Sequence, residues 1–374
     1  MNPFIFDRPL APEDLIDREA EAAELLDRAV GSTNSRLTSP RRFGKTSLLQ
    51  RVLRDADLEG FSTVYVDLYG ITTLGRLART LETAYEQRLK GAMARAFAGL
   101  RRAAVARGKL GGGPIGAEVE LLPAADQERI LLEILDLPRR LHEKTGVRTV
   151  VAFDEFQVVL DVGQHMDALI RSVIQHHGAS ANYIFAGSHP GLMAALFAER
   201  ERPLFAQAAP LRLGRLDDGD LADYVADRFE RTNRDATPAL GALLDAAGGH
   251  PQRAMLLAHL LWEATEPGAV AGEETFTAAF AAAGRWLAED FEQAWARWTL
   301  VERRLVTATA SSRDGLYARA TLQRFELSKA SAQKAARRLI EAGELERDAS
   351  SPTGHRLIDP LLERWVGAGA RWPE

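Results

Sequence analysis

The stretch of sequence that decides the fold runs from residue 39 to residue 47 and reads Ser39-Pro40-Arg41-Arg42-Phe43-Gly44-Lys45-Thr46-Ser47. A strand is predicted just before it, at residues 36–38, and a helix just after it, at residues 47–53. Strand, tight loop and helix N-terminus form the context of a phosphate-binding loop that ends in Gly-Lys-Thr. The loop N–H groups and the helix dipole attract anions. We therefore predict that Lys45 reaches the β- and γ-phosphates of a nucleotide and that the Thr46 hydroxyl ligates Mg²⁺.

The loop departs from the usual pattern G-x-x-x-x-G-K-[ST] at its first position, where Ser39 replaces glycine. Serine fits there if the backbone does not need a positive φ. Two alternatives stay open at this point. The Gly-Lys-Thr tripeptide arises by chance, or the loop belongs to a degenerate scaffold that binds nucleotide without turning it over.

A second apolar strand is predicted within residues 147–157, and it ends in Asp154 and Glu155. A short apolar run rich in β-branched residues is typical of a strand buried on both faces of a parallel sheet. Ligands bind at the carboxyl ends of such strands. We predict that Asp154 holds Mg²⁺, directly or through water, and that Glu155 orients the attacking water or accepts its proton. The alternative is a pair of acids that caps the next helix.

A third strand, predicted within residues 182–190, ends in Gly187-Ser188-His189. Its polar end lies at the same predicted sheet edge, so Ser188 and His189 are candidates to sense the γ-phosphate. A plain Gly-Ser turn into the next helix is the alternative.

Composition excludes several classes of protein. The chain has 374 residues, of which 46% are hydrophobic, which indicates two or three domains. It has no cysteine, which excludes a disulfide framework, thiolate catalysis and zinc bound by cysteine. The first residues lack the features of a signal peptide, and no apolar run approaches the ~20 residues that span a bilayer. We expect a soluble, cytoplasmic protein with no membrane association.

The rest of the chain divides into regions of different pattern. A helix is predicted within residues 1–30, and the sequence pattern is also helical over 74–107 and 126–144. Between these two helical stretches, residues 108–120 are predicted to form a glycine-rich flexible loop or hairpin. A fifth strand is predicted within 203–213, and residues 217–293 are nearly all helical in pattern. We predict an ATPase core at 1–216, a helical lid at 217–295 and an output module at 296–374.

The output module is predicted to be a winged helix-turn-helix over residues 298–366, with helices at 300–311, 318–325 and 329–342 and a two-stranded wing at 344–358. Between residues 297 and 374 the chain carries 14 lysines and arginines against 10 acidic residues, although its overall net charge is −5. Five residues of the third helix are candidates to contact double-stranded DNA, namely Lys329, Gln333, Lys334, Arg337 and Arg338. Winged helices also dock proteins, so a protein partner stays open.

Four stretches of the chain, in their order along the sequence, resemble motifs of the archaeal-type ATPase family. This family is a branch of P-loop ATPases close to the STAND signalling ATPases and the origin-recognition ATPases. The matching stretches are Ile16-Asp17-Arg18-Glu19, the loop with its helix at 40–49, Phe153-Asp154-Glu155-Phe156-Gln157, and Gly249-His250-Pro251. The resemblance implies that Arg18 lies near the adenine, that Pro251 packs near the base from the lid, and that Ser188 is the sensor. Arg200 and Arg202 are both candidates for an arginine finger, and the sequence does not select one of them. Arg253 either approaches the γ-phosphate or caps a helix.

The fold class predicted from these observations is α/β, a P-loop NTPase core with a five-stranded parallel sheet, followed by a helical lid and a C-terminal winged helix-turn-helix. The predicted activity is hydrolysis of ATP to ADP and phosphate with Mg²⁺, coupled to the winged helix and associated with DNA. The alternative is a slow nucleotide-dependent switch or scaffold that docks a protein partner. Active sites shared between subunits are common among related ATPases, so a homo-oligomer, either a ring or a dimer, is a candidate assembly.

Overall fold

The computed structural model describes residues 1–106, 123–163 and 165–372. They form two compact units. The sheet unit comprises Ala11–Ser39 and Lys45–Leu213, and the helical unit comprises Met1–Leu10, Pro40–Gly44 and Gly214–Glu374. The glycine-rich loop predicted at 108–120 lies outside the described residues. The three domain boundaries predicted from the sequence stay a prediction.

Five parallel strands form the central sheet in the order β2-β3-β4-β1-β5. The strands are β1 (Ser35–Thr38), β2 (Ser62–Asp67), β3 (Thr149–Asp154), β4 (Ala181–Gly187) and β5 (Ala209–Arg212). The order places β4 between β3 and β1, so the carboxyl ends of these three strands are neighbours. The predicted five-stranded parallel core is confirmed.

The strands β3 and β4 are buried along their whole length because helices cover both faces of the sheet. Val151 and Phe153 of β3 belong to one core cluster, and the ring of Phe153 stacks on those of Tyr183 and Phe185 in β4. Val150 and Ala152 alternate with them and face the other cluster. The continuous apolar run that predicted this strand therefore reflects burial on two sides.

The helices of the sheet unit are α1 (Glu19–Val30), α2 (Lys45–Leu58), α3 (Leu74–Arg88), α4 (Gly91–Ala106), α5 (Ala124–Leu135), α6 (Leu137–Thr145), α7 (Val159–Val162), α8 (Met166–Ile174) and α9 (Pro190–Ala198). Two short 3₁₀ helices span Pro12–Asp14 and Phe156–Val158.

Three of the predicted elements differ from the structure. The helical stretch 74–107 is broken before Gly91, which has a φ of 54°. The helix predicted at 126–144 is two helices, because Pro138 lies in the first turn of α6, where its missing N–H is tolerated. The fifth strand is shorter than predicted, since residues 203–208 form turns with Ala206 at a φ of 55°.

The helical unit contains α10 (Asp218–Arg231), α11 (Thr237–Ala247), α12 (Pro251–Glu263), α13 (Glu273–Arg297), α14 (Leu300–Ser311), α15 (Arg319–Arg324), α16 (Lys329–Glu341) and α17 (Pro360–Gly367). Its strands β6 (Leu345–Arg347) and β7 (His355–Leu357) form an antiparallel pair. Ser328 caps α16 by accepting from Ser331 N–H, and Gly343 follows its end at a φ of 73°.

Arg215 connects the α10–α12 helices to the C-terminal hairpin. Its guanidinium donates to the Gly248 carbonyl at 2.8 Å, to the Ile358 carbonyl at 2.9 Å and to Glu346 at 2.9 Å. The fixed fork of five donors lets one arginine satisfy several acceptors at once. Within the described ranges, no helix combines the length and the apolar character needed to cross a bilayer.

Candidate functional site

The phosphate-loop sequence forms a tight turn that leads directly into a helix. Arg42 and Gly44 have φ values of 67° and 85°, in the left-handed region, and α2 begins at Lys45. Left-handed turns of this kind turn successive N–H groups toward one side and form an anion-binding concavity. Ser39 does not have a positive φ. The conformational reason for a glycine at that position is therefore absent.

Lys45 lies inside the sheet unit, with a side chain only 5% exposed. Its ammonium group is 3.3 Å from Ser39 Oγ and 3.4 Å from the Ser39 carbonyl oxygen. A buried ammonium carries a large desolvation cost. An ammonium group at the N-terminus of a helix favours the binding of an anion.

Thr46 and Asp154 are brought into direct contact by the sheet order. The Thr46 hydroxyl donates to Asp154 Oδ2 at 2.7 Å, and the Tyr65 hydroxyl donates to the same oxygen at 3.0 Å. Asp154 Oδ1 accepts from the Glu155 backbone N–H at 3.0 Å. These contacts unite the loop and the acid-terminated strand that the sequence predicted separately.

Electrostatics at Asp154 are dominated by burial, which raises its pKa above the ordinary value. The hydrogen bond from Thr46 and the charge of Lys45 act in the opposite direction. Burial also raises the pKa of the Tyr65 hydroxyl, and the negative charge of Asp154 adds to that effect. The tyrosine is thus kept in its protonated, donating form.

The oxygen donors of Thr46 and Asp154 fit Mg²⁺, which prefers hard oxygen ligands. Among the described residues, no group of three or more His, Asp or Glu side chains is arranged to hold a metal ion. A Mg²⁺ ion that takes one carboxylate, one hydroxyl and the phosphates of a nucleotide needs no such group.

Glu155 follows Asp154 in the left-handed conformation, with φ 53° and ψ 40°. Such a conformation is rare for a residue other than glycine, and it concentrates at functional sites. Its Oε2 accepts from Ser188 Oγ at 2.6 Å and from Gln157 Nε2 at 2.5 Å. Of the residues predicted to be catalytic, the sheet unit therefore brings Glu155 and Ser188 into contact, and it places Lys45 close to Asp154.

The other predicted site residues of the sheet unit are Arg18 and Ser47, which are both buried. Arg18 directly precedes α1, and its guanidinium donates to Glu21 at 3.0 Å. Ser47 lies in the first turn of α2. The structure gives neither residue a contact that tests its predicted role.

The remaining predicted residues, Pro40, Arg41, Arg42, Phe43, Gly44 and Pro251, belong to the helical unit. In that unit Phe43 is buried, and its ring packs edge-on against the His250 ring at 4.8 Å between centroids. Arg42 lies 4.0 Å from Asp290 of α13. Pro251 is the first residue of α12, and His250 caps that helix by accepting from Arg253 N–H at 3.4 Å.

Two residues that touch the acidic pair, Tyr65 and Gln157, have no role predicted from the sequence. Tyr65 lies in β2, and Gln157 belongs to the stretch 153–157 that resembles the ATPase family. A signal existed for Gln157, because a polar residue two positions after the acids is unusual in an otherwise apolar segment. The position of Tyr65 depends on the pairing of β2 with β3, which the sequence does not reveal.

Comparison with solved structures shows which proteins have a fold similar to that of this chain. It is similar to a Walker-type ATPase of Pyrococcus abyssi, with a TM-score of 0.69 and 17% identity, over 96% of this chain and 98% of that chain. It is also similar to the ORC2 protein of Aeropyrum pernix in ADPNP and ADP complexes, with a TM-score of 0.60 and 17% identity, over 98% of each chain.

A third similar structure is the ORC1 protein of Aeropyrum pernix in complex with DNA, with a TM-score of 0.50 and 16% identity, over 94% of this chain and 92% of that chain. No protein-family model and no curated protein matches the chain. This chain therefore shares the fold of these structures, and the predicted α/β fold class is confirmed.

Proposed function

We propose that this protein binds ATP with Mg²⁺ and hydrolyses it to ADP and phosphate. The observation that carries the proposal is the 2.7 Å hydrogen bond from Thr46, at the start of a helix that follows a tight loop, to Asp154, at the end of a buried strand. The residues of 39–47 would surround the phosphates, and Lys45 would reach the β- and γ-phosphates. Thr46 and Asp154 would hold Mg²⁺, which when bound neutralises charge on the phosphate oxygens.

Glu155 would act on the water that attacks the γ-phosphorus. A new P–O bond forms to the water oxygen, the bond from the γ-phosphorus to the bridging oxygen breaks, and ADP leaves with the bonding electrons. Glu155 takes the proton that the water loses. Ser188 donates to the carboxylate of Glu155 and is proposed to link that residue to the γ-phosphate.

Arg18 and Pro251 are proposed to lie near the base, as the family resemblance implies. The proposed domain organisation keeps the predicted boundaries. It comprises an ATPase core at 1–216, a lid at 217–295 and an output module at 296–374. ATP binding and hydrolysis would then move the lid, and this movement would bias the winged helix between two arrangements.

Calorimetric titration with ATP and Mg²⁺ tests the binding step, and a phosphate-release assay tests turnover. Lys45→Ala is expected to abolish nucleotide binding. Lys144→Ala, at an exposed lysine of the same unit, is expected to leave nucleotide binding unchanged. Glu155→Gln is expected to keep binding and to lose turnover about 10²-fold or more. An absence of heat with the wild-type protein overturns the whole proposal, and undiminished turnover in Glu155→Gln overturns the role of Glu155.

We further propose that residues 296–374 form a winged helix that binds double-stranded DNA. The supporting observation is the amphipathic helix α16, which buries Ala332, Ala336 and Leu339 and exposes a basic face. The exposed residues of that face include Lys329, Gln333, Lys334 and Arg337. Arg338 is also exposed, but it lies 3.1 Å from Glu302 and is already paired. The paired strands β6 and β7 follow α16 in the position of a wing.

Fluorescence anisotropy with a labelled duplex, titrated over a range of salt concentrations, tests this second proposal. DNA binding is expected to weaken with salt, and the double variant Lys334→Ala, Arg337→Ala should reduce the salt dependence by about two phosphate contacts. Lack of binding at low salt overturns DNA binding. A complex with a protein that forms with ATP and without DNA would favour the alternative of a protein-docking switch. Mass measurement with and without ATP reports whether the protein assembles into a homo-oligomer.

A further inference from the structure

We propose that Gln157 is a positioning residue that, together with Ser188, fixes the carboxylate of Glu155 for proton transfer from water. The inference rests on the proposed hydrolysis of ATP and adds a residue to which no role has been given. Gln157 would touch neither the nucleotide nor the water, and it would act through Glu155.

The backbone after Asp154 turns sharply enough to bring Gln157 back to Glu155. Glu155 takes the left-handed conformation, and residues Phe156–Val158 form one turn of 3₁₀ helix. The Gln157 amide then donates to Glu155 Oε2 at 2.5 Å. Ser188 Oγ, at the end of the neighbouring strand β4, donates to the same oxygen at 2.6 Å.

Two donors from different elements reach one carboxylate oxygen. Together they restrict rotation about the last side-chain torsion of Glu155, which is otherwise broad in glutamate. A carboxylate held in one plane presents its proton-accepting lone pairs to a fixed point, and misplacement of a reacting group by 1 Å costs a large factor in rate. The arrangement is that of a group prepared before the substrate arrives.

The packing around Gln157 shows that its position is specified. The side chain is 5% exposed, and it passes over Gly187, the last residue of β4. A Cβ atom at Gly187 would lie 2.5 Å from Gln157 Oε1 and 2.4 Å from Met193 Sδ, so a larger residue there would force these side chains to move. The chain thus provides space for this amide at the carboxyl end of the sheet.

The hydrogen bonding of Gln157 points to a role other than stability. Its Oε1 is buried and accepts no hydrogen bond from the described residues. An unpartnered buried acceptor destabilises the folded state, and an apolar side chain of similar volume would avoid that cost. A glutamine is therefore explained by its donor, which is directed at Glu155, with a longer approach of 3.4 Å to His189 Nδ1.

The test compares Gln157→Leu with Gln175→Leu, a glutamine of the same unit that is exposed at the end of α8. We expect kcat for ATP hydrolysis to fall about 10-fold or more in Gln157→Leu, while KM and the Kd for ATP with Mg²⁺ stay within about 3-fold of wild type. Gln175→Leu should leave all three unchanged. If Gln157→Leu does not fold, as judged by circular dichroism, Gln157→Met carries the same test with a flexible side chain.

A second comparison separates positioning from a general effect on structure. In the Glu155→Gln background, adding Gln157→Leu should change the residual rate by less than about 2-fold, because the group through which Gln157 acts is already lost. A loss in that background equal to the loss in wild type overturns the inference, as does an unchanged kcat in the single variant. Both results leave the proposed function intact, whereas a wild-type protein without ATPase activity refutes the proposed function itself.

Discussion

Arg253 and Asp359 form a buried ion pair that connects the first turn of α12 to the residue that caps α17. Arg253 Nε lies 2.9 Å from Asp359 Oδ2, and a second guanidinium nitrogen donates to the same oxygen. The side chains are 3% and 18% exposed. The sequence allows Arg253 either to approach the γ-phosphate or to cap a helix. The structure directs its guanidinium to Asp359, while the cap of α12 is supplied by His250.

Asp359→Asn is predicted to destabilise the protein strongly. Asparagine keeps a side-chain oxygen for the Leu361 and Leu362 N–H groups that Asp359 now caps, but it removes the charge that Arg253 faces. Breaking a buried pair by removing one partner leaves the other charge uncompensated, so the free energy of unfolding should fall by about 3–5 kcal/mol. Chemical denaturation measures this change.

The matched control is Asp245→Asn, which removes the partner of Arg364 in the same unit. Asp245 is 81% exposed, and solvent screens the pair. Its free energy of unfolding should fall by under about 1 kcal/mol. Equal losses at the two positions would show that burial does not strengthen the Arg253–Asp359 pair.

His250 makes the stability of the helical unit sensitive to acid. Burial is the largest cause that lowers the pKa of His250, to about 3, and the charge of Asp359 opposes this only in part. The unfolded chain binds a proton at this residue below about pH 6.5, whereas the folded protein does not until about pH 3. The stabilisation is therefore complete above pH 6.5 and is lost as the pH falls toward 3.

Between pH 7.5 and pH 5.5 this one group should lower the free energy of unfolding by about 1.4 kcal/mol. His250→Asn keeps a capping side chain but does not titrate, so its unfolding should depend less steeply on pH. Denaturation at both pH values measures the difference, with His176→Asn, at an exposed histidine, as the control. Parallel pH profiles for wild type and His250→Asn would contradict the prediction.

Local sequence patterns were sufficient to predict the two halves of the candidate site. The Gly44-Lys45-Thr46 turn and the apolar run that ends in Asp154 are each encoded within about ten residues, by glycine, by charge and by side-chain hydrophobicity. Their contact follows from the general rule that parallel strands place ligand-binding residues at their carboxyl ends. The parallel core was predictable because its apolar strands and the phosphate loop are recognised from short local stretches of sequence.

Features that depend on tertiary structure were not predictable. Tyr65 reaches Asp154 because β2 pairs with β3 in the register that aligns Asp67 with Asp154, and no local pattern encodes that register. Gln157 reaches Glu155 only through a left-handed conformation that glutamate rarely adopts. The packing of Phe43 on His250 joins residues that are far apart in the sequence.

Two adjacent glycines permit a matched test of backbone packing before α12. Both Gly248 and Gly249 have positive φ, at 48° and 68°, so alanine at either should cost about 1–2 kcal/mol of conformational strain. At Gly249 a Cβ would also lie 2.7 Å from the Leu216 carbonyl oxygen, whereas at Gly248 the nearest atom is 3.5 Å away. Gly249→Ala should therefore destabilise by about 1–3 kcal/mol more than Gly248→Ala in thermal or chemical unfolding. Equal effects would mean that the backbone near Leu216 moves without cost.

The hydrogen bond from Tyr65 to Asp154 predicts a specific defect in metal binding. Tyr65→Phe removes one donor from Asp154 Oδ2 and leaves the donor from Thr46 in place. The carboxylate is then less firmly oriented, and a loss of about 1 kcal/mol corresponds to about a fivefold weaker apparent affinity for Mg²⁺ in the presence of ATP. Titration of ATPase activity with Mg²⁺ measures the shift. Tyr69→Phe serves as the control, because that tyrosine is 77% exposed. A half-saturating Mg²⁺ concentration that is identical in Tyr65→Phe and wild type would show that Tyr65 contributes only to packing, since Thr46 alone would then suffice to orient the acid.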